Sequence, residues 1–138
     1  MKAIRTFIIE QRNFTEKEDG SATIEAVLWM PIFVLIFSMI ADASLLFNAQ
    51  ANLTRLVQDA NRNYSIGRLD TDIETQDYIK ARLGTAATDA KTTVNTSVSN
   101  GVISTTVSVP AYHYAAIGFF TALTQFNISV TSQHMMES

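Results

Sequence analysis

Glu25, His113 and His134 are the side chains whose type and setting could do chemistry. Neither histidine has a Cys, a second His or a carboxylate at ligand spacing, so neither is expected to hold a metal. His113, between Tyr112 and Tyr114, reads as a strand residue, and His134 as a tail residue. The chain has no Cys, which excludes a disulfide, a thiolate zinc site and a Cys nucleophile. No GxSxG, HExxH, phosphate-loop or dinucleotide fingerprint occurs. These absences predict a non-enzymatic chain with no cofactor, no metal and no small-molecule substrate. Three matches to the glycosylation sequon, at Asn52, Asn95 and Asn127, are short enough to arise by chance in a chain rich in Ser, Thr and Asn. Glu25 differs in kind. It stands before 16 uncharged residues, Ala26 to Ala41, and an ionisable group beside or within a membrane segment points to function. The competing reading puts it at headgroup level, where its side chain simply reaches water.

The elements that position Glu25 begin with that run. Ala22 to Ala41 is 20 residues, which as a helix rise about 30 Å, the thickness of a bilayer's hydrocarbon core. Nine of the 16 uncharged residues are Leu, Ile, Val or Phe. Together they favour insertion by about 4 kcal/mol, more than the roughly 3 kcal/mol cost of one carboxylate at mid-bilayer. A cleavable secretory signal is the rival, with Ala41-x-Ala43 as a weak cleavage site. The apolar run is too long for that class and helical periodicity passes through the site without a break. Lys2, Arg5, Arg12 and Lys17 precede the span, and the first basic residue after it is Arg55. Positive charge is retained on the cytoplasmic side. The N-terminus is therefore expected inside and residues 43–138 outside the cytoplasm. Glu10, Glu16, Glu18 and Asp19 neutralise the leader, and the net charge of −3 shows no basic face, so no nucleic-acid partner is expected.

The helix is expected to outrun the membrane. Leu46, Leu53, Leu56/Val57, Ala60 and Tyr64 recur at three- to four-residue spacing, while Asn48, Gln50, Asn52, Arg55, Asp59 and Arg62 supply a polar side. With Gly67 as its stop, a helix from Ser21 would run about 69 Å. Pro31 cannot donate to the carbonyl of Val27, so a kink is expected there, unless the span merely tolerates it. Asp42 is expected to mark the outer end of the span, and Trp29 to be an interfacial anchor or a lipid contact.

Beyond Gly67, Thr71 and Glu74 fit a capping box opening a second helix over about 72–87, interrupted or ended near Gly84, with Ile73, Tyr78, Ile79, Leu83, Ala86 and Ala87 on its apolar side. Asn100-Gly101 sits between two alternating runs, the signature of a two-residue hairpin. That turn pairs Val98 with Ile103, Thr96 with Thr105 and Val94 with Val107, and Pro110 weakens pairing at the end of the run. A third strand is expected near 126–132, extending toward Met135. The aromatic run Tyr112–Leu123 is too short to span a membrane and reads as core or packed loop. The fold class is α+β: a long N-terminal helix, membrane span plus amphipathic extension, then a small antiparallel sheet covered on one face.

Gly20-Ser-Ala-Thr-Ile-Glu25 followed by an apolar helix resembles a type IV prepilin processing site. More narrowly, SATIEAVLWMPIFVLIFSMIADASLLF resembles the N-terminal signature of TadE-like proteins, whose Glu, Pro and later acidic residue correspond to Glu25, Pro31 and Asp42. The resemblance implies a pilin-like minor pilin or pseudopilin of a Tad (Flp-type) pilus assembly and secretion apparatus, active in adhesion. It implies cleavage between Gly20 and Ser21 by a membrane prepilin peptidase, and assembly through Glu25 with other pilin or pseudopilin subunits and the inner-membrane machinery. The organisation expected is leader 1–20, membrane helix 21–42, helical extension 43–68 and outer domain 69–138. Ala26 stands where major Flp pilins carry Tyr, and Glu18-Asp19 makes the leader more acidic than usual beside such sites. The alternative is an uncleaved single-pass scaffold of the same apparatus. A membrane-tethered binding domain or enzyme using the outer sheet comes third.

Overall fold

The computed structural model describes residues 19–118, 122 and 125–137, with main chain alone for 19–21. The leader thus lies outside the described residues, apart from the main chain of its last two. The chain divides into two units, one up to Phe37 and one from Ser38 onward. Helix α1, Asp19–Ser65, contributes to both.

In the first unit, every described side chain from Ala22 to Phe37 is exposed, and nearly all are apolar. A helix apolar on all sides belongs in a core or in lipid. With an 18-residue window of mean hydropathy 2.2 and none of that window buried, this segment is long and apolar enough to cross a membrane. Pro31 lies inside the helix without ending it. Trp29 and Phe33, one turn apart, bring their rings to 6.3 Å.

The second unit is built on the amphipathic part of α1. Ala49, Leu53, Val57, Ala60 and Tyr64 are buried at spacings of four, four, three and four, a single helical stripe. The six polar positions expected to face water all do. The helix stops at Ser65, and Gly67 takes the left-handed conformation (φ 71°) that lets its N–H reach the carbonyl of Tyr64 at 3.1 Å. Helix α2, Asp72–Leu83, buries Thr75, Ile79 and Leu83. Ile73, expected on that face, is 69% exposed; it lies two residues before Thr75, on another side of the helix. Gly84 ends the helix, as expected, and a 3₁₀ turn, Gly84–Thr88, follows.

The cap at Thr71 forms with one change. Its hydroxyl accepts the N–H of Glu74 at 3.1 Å, but the Glu74 carboxylate reaches back to the N–H of Asp70 rather than of Thr71. Thr71→Ala is expected to lower the stability of the outer domain by about 1 kcal/mol, read as a shift in the urea midpoint of the full chain in detergent. An unchanged midpoint would show the cap to be idle.

Three strands, β1 (Thr93–Ser99), β2 (Val102–Pro110) and β3 (Asn127–Met135), form an antiparallel sheet in the order β1-β2-β3. The register of β1 and β2 is the one the hairpin demands, with Val98 opposite Ile103, Thr96 opposite Thr105 and Val94 opposite Val107. Asn100 (φ 53°) and Gly101 (φ 74°) both take positive φ, as a two-residue primed turn requires. Pairing with β1 stops at Ser108, two residues before Pro110, while β3 still pairs there. Ile103, Thr105, Val107, Val109, Ile128 and Val130 bury one face against the helices. The other face carries Thr93, Asn95, Ser97, Ser104, Thr106, Ser108, Ser129 and Thr131, so one face alone is covered. Both histidine placements are corrected. His113 ends a 3₁₀ turn, Ala111–His113, because Pro110 ends β2, and His134 is a strand residue opposite Ile103. Phe126 lies just before β3, its carbonyl taking the N–H of Ala111 at 3.0 Å.

Candidate functional site

The Gly20–Ser21 bond lies at the N-terminal end of the described part of helix α1, Asp19–Ser65. Ser21 and Glu25 are four residues apart and share one side of α1, about 6 Å apart along its axis. Glu25 is exposed, open to a group supplied from outside the chain. Pro31 is exposed on the same apolar segment.

Asp42, expected at the outer end of the span, belongs to the second unit. It is fully buried, and its Oδ1 accepts the main-chain N–H of Ile117 at 2.9 Å. A carboxylate removed from water must be hydrogen-bonded to be tolerated, and here the partner is the segment after β2. Beside it, Ala43, Leu46, Phe47, Phe126 and Ile128 line an open, mainly apolar groove of about 530 Å³. Of the aromatic run, Tyr114 is half-buried and Tyr112 and Ile117 are exposed, while 119–121 and 123 lie outside the described residues.

Two polar clusters had no sequence signal. Asn61 is fully buried on the inner stripe of α1; its Nδ2 donates to the carbonyl of Ser132 at 3.0 Å and its Oδ1 accepts the Thr105 hydroxyl at 2.6 Å. One turn on, Ser65 donates to the carbonyl of Met135 at 2.9 Å and accepts the N–H of Glu137 at 3.1 Å. Tyr64 donates to Asp72 at 2.8 Å, joining the end of α1 to the start of α2. That bond, then burial, then the Asp72 charge, hold the Tyr64 hydroxyl above its ordinary pKa.

The second cluster surrounds Asp89. Its carboxylate accepts the main-chain N–H of Lys91 at 2.9 Å, meets His113 Nε2 at 3.0 Å and accepts the Tyr112 hydroxyl. The Lys91 N–H and then His113 hold its carboxyl below the usual carboxylate range, against the opposing effect of burial. The cluster ties the loop after α2 to the turn after β2. No group of three His, Cys, Asp or Glu able to hold a metal occurs among the described residues.

A long helix with one membrane-span candidate, carrying a small antiparallel sheet on its amphipathic half, is a pilin-like α+β arrangement. The family whose model matches is TadE, TadE-like protein, over residues 20–62, the stretch that holds Gly20, Glu25, Pro31 and Asp42. No curated protein and no solved structure matches.

Proposed function

We propose that this chain is a minor pilin or pseudopilin of a Tad (Flp-type) pilus assembly and secretion apparatus, cut between Gly20 and Ser21 and assembled through its N-terminal helix. The observation that carries the reading is the family match over residues 20–62, which contains the Gly-x₄-Glu spacing and the exposed apolar helix together. The new amine at Ser21 and the Glu25 carboxylate each lose solvation in a packed bundle of such helices. They are tolerable there only as partners, within a chain or between neighbours. The apolar helix anchors the subunit in the inner membrane, with the sheet domain on the periplasmic side, until assembly withdraws it into a filament. Other pilin or pseudopilin subunits, a prepilin peptidase and the inner-membrane machinery are the partners.

A second reading, an uncleaved scaffold of the same apparatus, is favoured by Glu18 and Asp19 beside the scissile bond. Intact mass of the protein from its native membrane separates the two. Processing gives a species of residues 21–138 beginning at Ser21. A full-length mass, with the peptidase active on its other substrates, overturns processing and leaves the scaffold.

A further inference from the structure

We propose that the free edge of β1 is a docking site for one extended strand of another protein, added to the sheet above the outer flank of α2. All parts of the site lie in the second unit. In an antiparallel ladder, alternate residues turn their N–H and C=O toward the same neighbour. Ser99 and Val102 close the hairpin turn, so Thr93, Asn95, Ser97 and Ser99 bond β2, while Val94, Thr96 and Val98 point the other way. Among the described residues, nothing bonds those outward groups. Sheet edges are commonly guarded by charge, proline or a bulge. β1 has no charge and no proline, and its pairing runs from Thr93 to Ser99 without a bulge.

The helices beneath the sheet decide what fits there. Tyr78 donates to Asp59 at 2.6 Å and accepts from Asn63 at 3.2 Å, and Tyr64 donates to Asp72, so α2 lies directly beside the end of α1. Through Asn61, α1 is bonded to β2 and β3, and α2 packs against β1. Two helices side by side are about 20 Å wide, and three strands about 14 Å. The helix layer therefore runs past β1 by about the width of one strand. Ile73, exposed on α2, lies about 140° around the helix from Tyr78, on the flank turned away from α1. It is level with Val98: Tyr64 holds Asp72, and the adjacent Ser65 holds Met135, which lies in the same rank as Val102 and Ser99. Val98 is the most exposed inward-facing residue of β1, at 36%. Lys80, on the same flank as Ile73, is already paired with Asp77 at 3.7 Å, so the site asks no charge of its partner. A strand laid there bonds Val94, Thr96 and Val98 and covers Val98 and Ile73. The partner is thus an extended segment with apolar residues at alternate positions, facing α2, and uncharged polar residues between them. A second copy does not fit, because its sheet arrives with a helix layer wider than itself, which meets α2.

Amide exchange of the full chain in detergent micelles, read residue by residue by NMR, tests this with a capped peptide of alternating Thr and Val at millimolar concentration. Without peptide, the amides of Val94, Thr96 and Val98 are expected to exchange fast, and those of Asn95 and Ser97 slowly. The peptide should slow the first three by about tenfold or more. The same peptide N-methylated at its valines should leave them fast. Val98→Pro gives up an outward N–H and no bond to β2. It should abolish the slowing at Val94 and Thr96 while Asn95 and Ser97 stay slow. No slowing by the unmethylated peptide, or equal slowing by the methylated one, overturns the proposal. So does slow exchange at Val94, Thr96 and Val98 before peptide is added: if it fades on dilution a second copy holds the edge, and if it persists another part of this chain does.

Discussion

Asn61→Asp is expected to cost the outer domain several kcal/mol at neutral pH, because it buries a carboxylate at a site with no exposure. The substitution keeps the shape of the side chain and changes one group. The Asn61 amide donates to the Ser132 carbonyl and its oxygen accepts from Thr105. Asp can still accept from Thr105, but its second oxygen faces a carbonyl oxygen and the two repel. Asn61→Ala adds no charge; the Thr105 hydroxyl keeps the Thr96 hydroxyl as a partner, and losing the Asn61 donor to the Ser132 carbonyl costs about 1–3 kcal/mol. The Asp variant should be the worse of the two at pH 7. It should also recover as pH falls. Burial raises the folded-state pKa of the new carboxyl above its unfolded value near 4. The folded state then binds the extra proton first, and the loss shrinks as pH drops from the folded to the unfolded pKa. Urea unfolding of the full chain in detergent at pH 7 and pH 5 reads both effects. Equal midpoints for Asp and wild type at pH 7 would show that Asn61 reaches water.

Glu25→Ala is expected to abolish incorporation into the filament while leaving membrane insertion intact. Removing a carboxylate from the edge of an apolar span makes insertion more favourable, by up to about 3 kcal/mol if the group sits deep. Any loss of assembly therefore cannot come from failure to insert. The proposed role is the opposite of an anchor: a charge that is costly in lipid and satisfied by an amine when helices pack. Glu25→Gln tests the charge apart from the shape and should fail in the same way. Cell fractionation supplies the measurement, comparing the subunit in sheared surface material with that in the inner membrane. Wild-type levels in the sheared fraction of either variant would remove Glu25 from assembly.

The contrast between the hairpin and Asn61 shows what this sequence discloses. Val94, Val98, Ile103, Val107 and Val109 alternate around Asn100-Gly101, so period-two burial and turn chemistry specify one register, and the sheet has it. Gly20, Glu25 and Pro31 stand out in the sequence against an apolar run of a bilayer's length, and the family match covers them. The burial of Asn61, Ser65 and Asp42 was not legible. A polar residue on an amphipathic helix reads as part of its wet side, and these three are buried where segments 70 to 75 residues further along the chain bring them partners. Asp89 and His113 are 24 residues apart and meet because a loop and a turn abut at one end of the sheet. Local periodicity carries no record of such meetings.

The placement of β3 bears on how the domain is made. Ile128 and Val130 belong to the same core as Leu53 and Val57, and Asn61 finds its partner in Ser132, 71 residues later. On the proposed reading, in which the sheet domain is exported, a chain threaded through a translocation channel from its N-terminal end presents the inner stripe of α1 long before β3 arrives to cover it. Folding of the domain thus waits for the last described strand to clear the channel, and contacts of such long sequence separation form slowly. In that interval the amphipathic half of α1 is an open apolar surface within reach of the bilayer. Chaperone holding or transient lipid contact during export is then a requirement set by the order of the elements along the chain.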